Sequence, residues 1–308
     1  MSAATATVAI DAPEFRAAGT DLSERRRSGV SRGPIVDLAA APDAIGISWN
    51  ADGSARIGAF TTIAAIASDA RIAQAYPGIA ASAQGLATPQ IRHLATLGGN
   101  IAQRSRCWYF RNPQIACLKK GGSDCPARSG NHLYHVAFDL GPCVAPHPST
   151  MAMALLAYDA KITTDRRSGP SIRDLLGDGS DGTHDNLLAA GEWIKTIELP
   201  SPLAGERALY KRAISRARAE WPLVELCVRA AVSGGSFRDV HIAAGGIAPV
   251  PLRLAACEAA LEGKPANAET IAHAAELATS GAKPLPMTGY KLDLLEGLVR
   301  DLMERIAA

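Results

Sequence analysis

Six cysteines stand at positions 107, 117, 125, 143, 227 and 257 of a 308-residue chain, and the first four crowd one stretch, with nine, seven and seventeen residues between them. Thiolates are ligands for zinc and for iron–sulfur clusters. Zinc ribbons and fingers bring their ligands as closely spaced pairs, and this stretch has no Cys-x2-Cys pair. Four thiolates on a long irregular loop can still converge on a cubane cluster, so Cys107, Cys117, Cys125 and Cys143 are candidate metal ligands. A structural zinc stays open at this point. Free cysteines fit a polar, Gly/Pro-rich loop poorly, and disulfides need an oxidising compartment, for which the chain carries no export signal. Cys227 and Cys257 read as packing residues on helices.

Two glycine-containing segments could approach a diphosphate closely. Ala17-Ala18-Gly19-Thr20-Asp21-Leu22 follows an expected strand and opens an expected helix, where free backbone N–H groups favour an anion. A glycine turn with a Thr/Asp helix cap would use the same residues. In Thr96-Leu97-Gly98-Gly99-Asn100-Ile101 the paired glycines remove Cβ obstruction, and Thr96 and Asn100 offer hydrogen bonds. Of the seven histidines, His132, His135 and His147 flank the cysteine stretch. They read as structural residues, as does His93.

Other chemistries lack their motifs. The chain has no Gly-x-Ser-x-Gly elbow, no His-Glu-x-x-His, no P-loop and no plant-type [2Fe–2S] spacing. A net charge of +2 argues against a dedicated nucleic-acid binder. No apolar run approaches the roughly 18 residues of a membrane helix.

The elements that must position these groups can be read coarsely. Short strands are expected around 14–17, 34–38 and 55–59, and helices from Thr61 or Thr62 towards Arg71 and over 79–85. Residues 88–148 form a long loop-rich segment, of the kind that is usually functional. A helix over 150–158 and a strand near 161–164 follow, and 164–191 reads as a surface excursion. The last third reads as strands at 193–199 and 207–213, a helix at 222–231, a strand at 240–245 and closing helices. In the final one, over 290–306, Leu292, Leu295, Val299, Leu302, Met303 and Ile306 share a face.

The order of these pieces resembles the FAD-binding subunit of the molybdenum hydroxylases, the xanthine dehydrogenase, aldehyde oxidoreductase and carbon monoxide dehydrogenase family. The resemblance runs from Phe15 to the end. It is carried by the Gly19-Thr20-Asp21 turn, Arg56-Ile57-Gly58-Ala59, Thr96-Leu97-Gly98-Gly99-Asn100, His147-Pro148-Ser149, the stretch from Ala243 through Gly245-Gly246 to Arg253, and Tyr290-Lys291-Leu292. It implies an α+β protein with a vanillyl-alcohol-oxidase-type (PCMH) FAD-binding domain of two α/β lobes over 1–170. Lobe 1 would span about 1–60 and lobe 2 about 61–170, with the cysteine loop at 104–146. A linker at 171–191 would lead to a CO-dehydrogenase-flavoprotein-like α+β domain at 192–308 that covers the isoalloxazine. FAD contacts are implied for Ala17, Ala18, Gly19, Thr20, Asp21, Leu22, Thr96, Gly98, Gly99 and Asn100. The chain departs from the family twice. Thr150 stands where His-Pro-Ser-Asp has its carboxylate, and Arg212 where a lysine is usual, so both are candidate flavin contacts with altered chemistry.

A subset of the family, including periplasmic aldehyde oxidoreductase, carries an inserted loop with a [4Fe–4S] cluster. Resemblance to it implies such a cluster on Cys107, Cys117, Cys125 and Cys143. The implied role is an electron-transfer subunit of a heterotrimer with a large molybdenum-cofactor subunit and a small [2Fe–2S] subunit. FAD would pass electrons to an external acceptor such as a ferredoxin, a quinone or dioxygen. The holoenzyme would oxidise aldehydes or aromatic or N-heterocyclic substrates, and no residue of this chain would be catalytic. The expected location is the cytoplasm, with co-export on a partner's twin-arginine signal as the alternative. Two rival readings are a stand-alone flavin oxidoreductase of the same fold and a non-enzymatic four-cysteine zinc scaffold.

Overall fold

A computed structural model describes residues 12–217 and 219–308, whose strands form three sheets. Strands β1 (Glu14–Arg16) and β2 (Ile35–Asp37) pair in parallel, joined through the 17–21 turn and the helix Leu22–Arg27. A parallel pair needs such a crossover, and the crossover is what puts the glycine turn at a strand end.

Strands β3 (Ile47–Trp49), β4 (Ala55–Gly58), β5 (Lys161–Thr164), β6 (Ser168–Ser171) and β7 (Ile194–Leu199) make a five-stranded antiparallel sheet in the order β3-β4-β7-β5-β6. Helices over Ile63–Ser68, Ala70–Ala75, Pro77–Gly85 and Thr150–Ala157 contribute side chains to the same apolar core. All eight residues of Thr150–Ala157 are buried, as expected of a helix that is apolar all round.

Strands β8 (Glu206–Ala213), β9 (Val224–Ser233), β10 (Ser236–Gly245) and β11 (Leu252–Arg253) form the third sheet, ordered β11-β10-β9-β8 and antiparallel throughout. Gly234 and Gly235, both in the left-handed region, close the β9–β10 hairpin. The helix Tyr290–Ala307 lays Leu295, Leu298, Val299, Leu302, Met303 and Ile306 into a second core.

Strand β9 is shared between the two cores. Val224, Leu226, Val228 and Ala230 pack in the second, while Cys227 packs in the first. Alternation along a strand therefore turns Glu225, Cys227 and Arg229 towards the first domain. Arg229 spans that boundary, pairing with Glu206 at 2.8 Å and lying 4.7 Å from the Tyr158 ring.

The α+β architecture and the closing helix are as the sequence suggests, but four local expectations are corrected. Residues 222–231 are not a helix: the stretch is buried on both faces of a strand, and an apolar run of that kind has no period that separates strand from helix. Cys227 accordingly lies on β9, whereas Cys257 is on the helix Ala255–Leu261. β7, read as the start of the C-terminal domain, hydrogen-bonds to β4 and β5, so the five-stranded sheet runs to Leu199 and also takes in β3 and β4 from the expected lobe 1. The expected linker at 171–191 is structured: Ser171 caps a helix over Ile172–Leu176, and Ile172, Leu175, Leu176 and Asp185 are buried. Among the described residues no helix is long and apolar enough to cross a membrane.

Candidate functional site

The turn after β1 and the segment 96–100 face one cavity. Ala17, Ala18, Gly19, Thr20, Asp21 and Leu22 line it together with Thr96 and Gly99. Gly19 has φ +74°, a backbone state that glycine adopts without strain. The short helix Leu97–Ile101 starts at Thr96, whose Oγ1 accepts the Gly99 N–H at 3.2 Å. A Cβ on Gly99 would lie 2.9 Å from that oxygen, so any side chain there would have to displace the Thr96 hydroxyl. Gly98 serves the packing behind it. Its N–H donates to the Ala59 carbonyl at 2.8 Å, and a Cβ on it would lie 2.8 Å from the Ala59 Cβ, which makes it a close-approach residue at the back of the wall.

A second cavity of about 200 Å³ shares Thr20, Asp21, Gly99 and Gln103 with the first, and adds Asn100, Thr150 and Arg212. A third, of about 500 Å³, joins it through Arg106, Glu220, Trp221 and Pro222. The result is a long groove, mixed apolar and polar, between the glycine turns and the C-terminal sheet, as extended ligands require. Ser149 ties its parts together: its hydroxyl donates to Asn100 Oδ1 at 2.7 Å and accepts the Ala152 N–H at 2.9 Å. Lys211 pairs with Asp301 on the terminal helix at 2.9 Å, so of the two adjacent cations it is Arg212 that reaches the groove.

Asp21 borders the groove, but its carboxylate is engaged elsewhere. Arg25, Arg106 and Arg111 approach it at 3.0, 2.9 and 2.8 Å, and the Arg104 N–H donates to it at 3.2 Å. Burial alone would push the carboxyl up, and the guanidiniums of Arg106, Arg111 and Arg25 reverse this and hold it below its usual range. Asp21 thereby anchors the beginning of the cysteine loop to the glycine turn.

At position 150 the groove wall ends in a hydroxyl that leads to a carboxylate. Thr150 Oγ1 donates to Glu225 Oε2 at 2.9 Å, and the Tyr210 hydroxyl donates to the same oxygen at 2.9 Å. Burial pushes the Glu225 carboxyl up to about 7, against the opposing pull of Tyr210, Thr150 and Arg212. Sequence reasoning missed Glu225. The available signal was one acid inside the apolar run Pro222-Leu223-Val224-Glu225-Leu226-Cys227-Val228, a position where a charge is expensive unless it is partnered.

The four clustered cysteines are free thiols. Cys107 and Cys117 sit in one apolar cluster with Val30 and Phe110. Cys125 and Cys143 lie close enough to couple, which pulls the Cys125 thiol down and pushes Cys143 up. Burial raises Cys107 to about 11, and it also raises Cys117; proximity to Cys125 adds to both. The thiols thus come together as two adjoining pairs. Among the described residues no three of His, Cys, Asp and Glu are disposed around a single metal ion. Four thiols with Lys120 and Arg128 beside them do suit an iron–sulfur cluster in donor chemistry.

The loop is pinned from two further sides. Asp185 pairs with Arg104 at 2.6 Å and Lys119 at 3.0 Å. From the terminal helix, the Tyr290 hydroxyl donates to the Leu133 carbonyl at 2.9 Å, and Lys291 Nζ donates to the carbonyls of Gly246 at 2.7 Å and Tyr134 at 3.2 Å. Three of the histidines have backbone partners. His132 bridges the Ala127 carbonyl and the Met287 N–H, His147 Nδ1 accepts the Ser149 N–H, and His93 contacts the Pro89 carbonyl. His135 Nε2 lies 3.2 Å from Cys107 Sγ.

The groove lies between a glycine-turn domain and a sheet-and-helix lid, the arrangement of a two-domain protein that holds an extended ligand at its domain boundary. Comparison with known proteins gives the class its name. Residues 3–202 match the family described as FAD binding domain in molybdopterin dehydrogenase, and residues 208–306 match the CO dehydrogenase flavoprotein C-terminal domain. The aldehyde oxidoreductase FAD-binding subunit PaoB of Escherichia coli K12 is 32% identical over 216 residues, which cover 68% of this chain and 66% of that protein, just under two thirds of its length. The xanthine dehydrogenase FAD-binding subunit of Escherichia coli O157:H7 is 24% identical over 89% of this chain and 81% of its own. Among solved structures, quinoline 2-oxidoreductase from Pseudomonas putida 86 superposes with a TM-score of 0.73 at 21% identity, covering 96% of this chain and 90% of that one. Carbon monoxide dehydrogenase from Oligotropha carboxidovorans gives 0.73 at 20%, covering 98% and 92%. The chain belongs to the family of FAD-binding subunits of molybdenum hydroxylases.

Proposed function

We propose that this chain is the FAD- and [4Fe–4S]-carrying electron-transfer subunit of a three-subunit molybdenum hydroxylase. The observation that carries the reading is the continuous groove from Gly19 and Gly99 to Thr150 and Arg212. Backbone N–H groups of 17–20 and 99–100 would hold the diphosphate, with Thr96 shaping the second turn. Thr150 and Arg212 would orient the ring at the interdomain end. Bound FAD supplies chemistry that takes up electrons singly and releases them singly or in pairs. The chain's own work is to bind, orient and shield; no side chain on it acts on substrate. Cys107, Cys117, Cys125 and Cys143 would hold the [4Fe–4S] cluster, which suits their exclusively thiol chemistry.

Partners on this reading are a large molybdenum-cofactor subunit and a small [2Fe–2S] subunit, with a ferredoxin, quinone or dioxygen as final acceptor. An aldehyde is the favoured substrate class, since the most identical of the relatives named above is an aldehyde oxidoreductase subunit. The complex is placed in the cytoplasm, and fractionation would detect co-export on a partner's signal. Co-expression with the two partners tests the whole. Visible flavin absorption, co-elution of three chains and aldehyde oxidation support it. A colourless chain, or one that elutes alone and oxidises a substrate unaided, refutes it.

A further inference from the structure

Glu225 is a fully buried acid that the groove-lining residues do not account for, and its surroundings are built around it. It stands directly opposite Arg212 on β8 and Gly245 on β10 in the sheet register. Direct cross-strand neighbours share a face, so Arg212 and Glu225 both point towards the first domain, as does Tyr210 two residues along β8. A Cβ on Gly245 would lie 2.8 Å from Glu225 Oε1, so the glycine leaves the space that the carboxylate fills. From the first domain, Thr150 closes the arrangement.

The direction of these hydrogen bonds matters at the groove. An ionised carboxylate only accepts, and a hydroxyl has one proton to give. With its proton committed to Glu225, Thr150 offers the groove lone pairs alone. We propose that Glu225 is a positioning residue of the flavin site: through Thr150 it sets the groove wall as a hydrogen-bond acceptor, selecting an N–H group of the bound ring, while it balances the Arg212 guanidinium beside it. The proposal rests on the FAD reading and adds to it the polarity of one wall and a residue outside the groove that controls it.

A pH signature follows. Once Glu225 takes up a proton it can donate, Thr150 is free to turn its own proton to the groove, and the acceptor is lost. Burial places that change near pH 7. The neighbouring titratable groups Tyr210 and Cys227 stay protonated across this range, because burial pushes Tyr210 well above its ordinary value and Cys227 up to about 12. Thr150 and Gly245, from the other two packed elements, carry no charge.

The test uses the full chain with its partner subunits co-expressed, stripped of flavin and titrated with FAD between pH 6 and 8. Wild-type affinity is expected to fall as pH drops through about 7. Glu225→Gln, which keeps the shape but gains donors, is expected to bind about tenfold more weakly and without that pH dependence, the loss of one charge-assisted hydrogen bond. Thr150→Val is expected to give the same weakened, pH-flat binding with Glu225 intact, and it serves if Glu225→Gln does not fold. Thr150→Asp should weaken binding in the wild-type background, where two carboxylates would abut, and restore it in Glu225→Gln. A Glu225→Gln or Thr150→Val complex that binds FAD with wild-type affinity and pH profile overturns the proposal. A wild-type complex that binds no FAD at any pH overturns the flavin reading and this inference together.

Discussion

Replacing Asp21 by Asn keeps the side chain's size and removes the charge that gathers Arg25, Arg106 and Arg111. Breaking a buried ion pair from one side costs about 3–5 kcal/mol when the partner is left alone. Here each guanidinium keeps a second acidic neighbour, Arg25 with Glu14 and both Arg106 and Arg111 with Glu24. The expected cost is therefore near the lower end, about 3 kcal/mol. For a domain of roughly 200 residues that lowers the melting temperature by about 6–12 °C. The pH dependence has a definite sign. Because the carboxyl is held below its usual value in the folded chain, the stabilisation is present above about pH 4 and is lost as pH falls through the folded value. Asp21→Asn should thus lose stability at pH 7, and its deficit against wild type should shrink as pH falls below about 4. Differential scanning calorimetry of the complex at several pH values measures both. The 104–111 segment should loosen as well, with faster amide exchange there than in the wild type. A melting temperature within a degree of wild type at pH 7 would refute the idea that Asp21 anchors the cysteine loop.

Other consequences can be checked alongside. Gly99→Val places a branched side chain where a single Cβ already meets Thr96 Oγ1 at 2.9 Å, and the purified complex should carry less than a tenth of the wild-type flavin while keeping its iron. Lys291→Met leaves the Gly246 and Tyr134 carbonyls unpaired and should cost about 2 kcal/mol by denaturant titration. Burial lowers the Lys291 ammonium to about 7, so wild-type stability is lost as pH falls from about 10 towards 7, and the advantage of wild type over the variant should widen as pH rises across that interval. Cys257→Ala removes a buried thiol from the second core and should cost about 1–2 kcal/mol in the same titration, with flavin and iron both unchanged.

What could be read from the residues divides along physical lines. The Gly19-Thr20-Asp21 turn was legible because a glycine in a left-handed turn and a strand-to-helix junction leave local traces, and both are present. The terminal helix was legible from the spacing of Leu295, Val299, Leu302 and Ile306, all of them buried. Strand β9 was not, since a strand covered on both faces has no alternation to show. With β9 misread, the shared face of Glu225, Cys227 and Arg229 was out of reach, and with it the carboxylate behind Thr150. The ion-pair role that the fold gives Asp21 was not legible. Its type fits a ligand contact, and only the fold brings Arg106 and Arg111, some ninety residues away, onto its oxygens. Asp185 was hidden in a stretch whose glycines and polar residues read as a linker, because its burial depends on Arg104 and Lys119 from the cysteine loop.

Flavin and iron content of the complex, wild type against Cys117→Ser, tests the central claim most directly. The account predicts one FAD per copy of this chain in both proteins, and about four fewer iron and acid-labile sulfide atoms in the variant, the complement of one cubane cluster. Equal iron in the two proteins, or a wild-type complex without flavin, would contradict it.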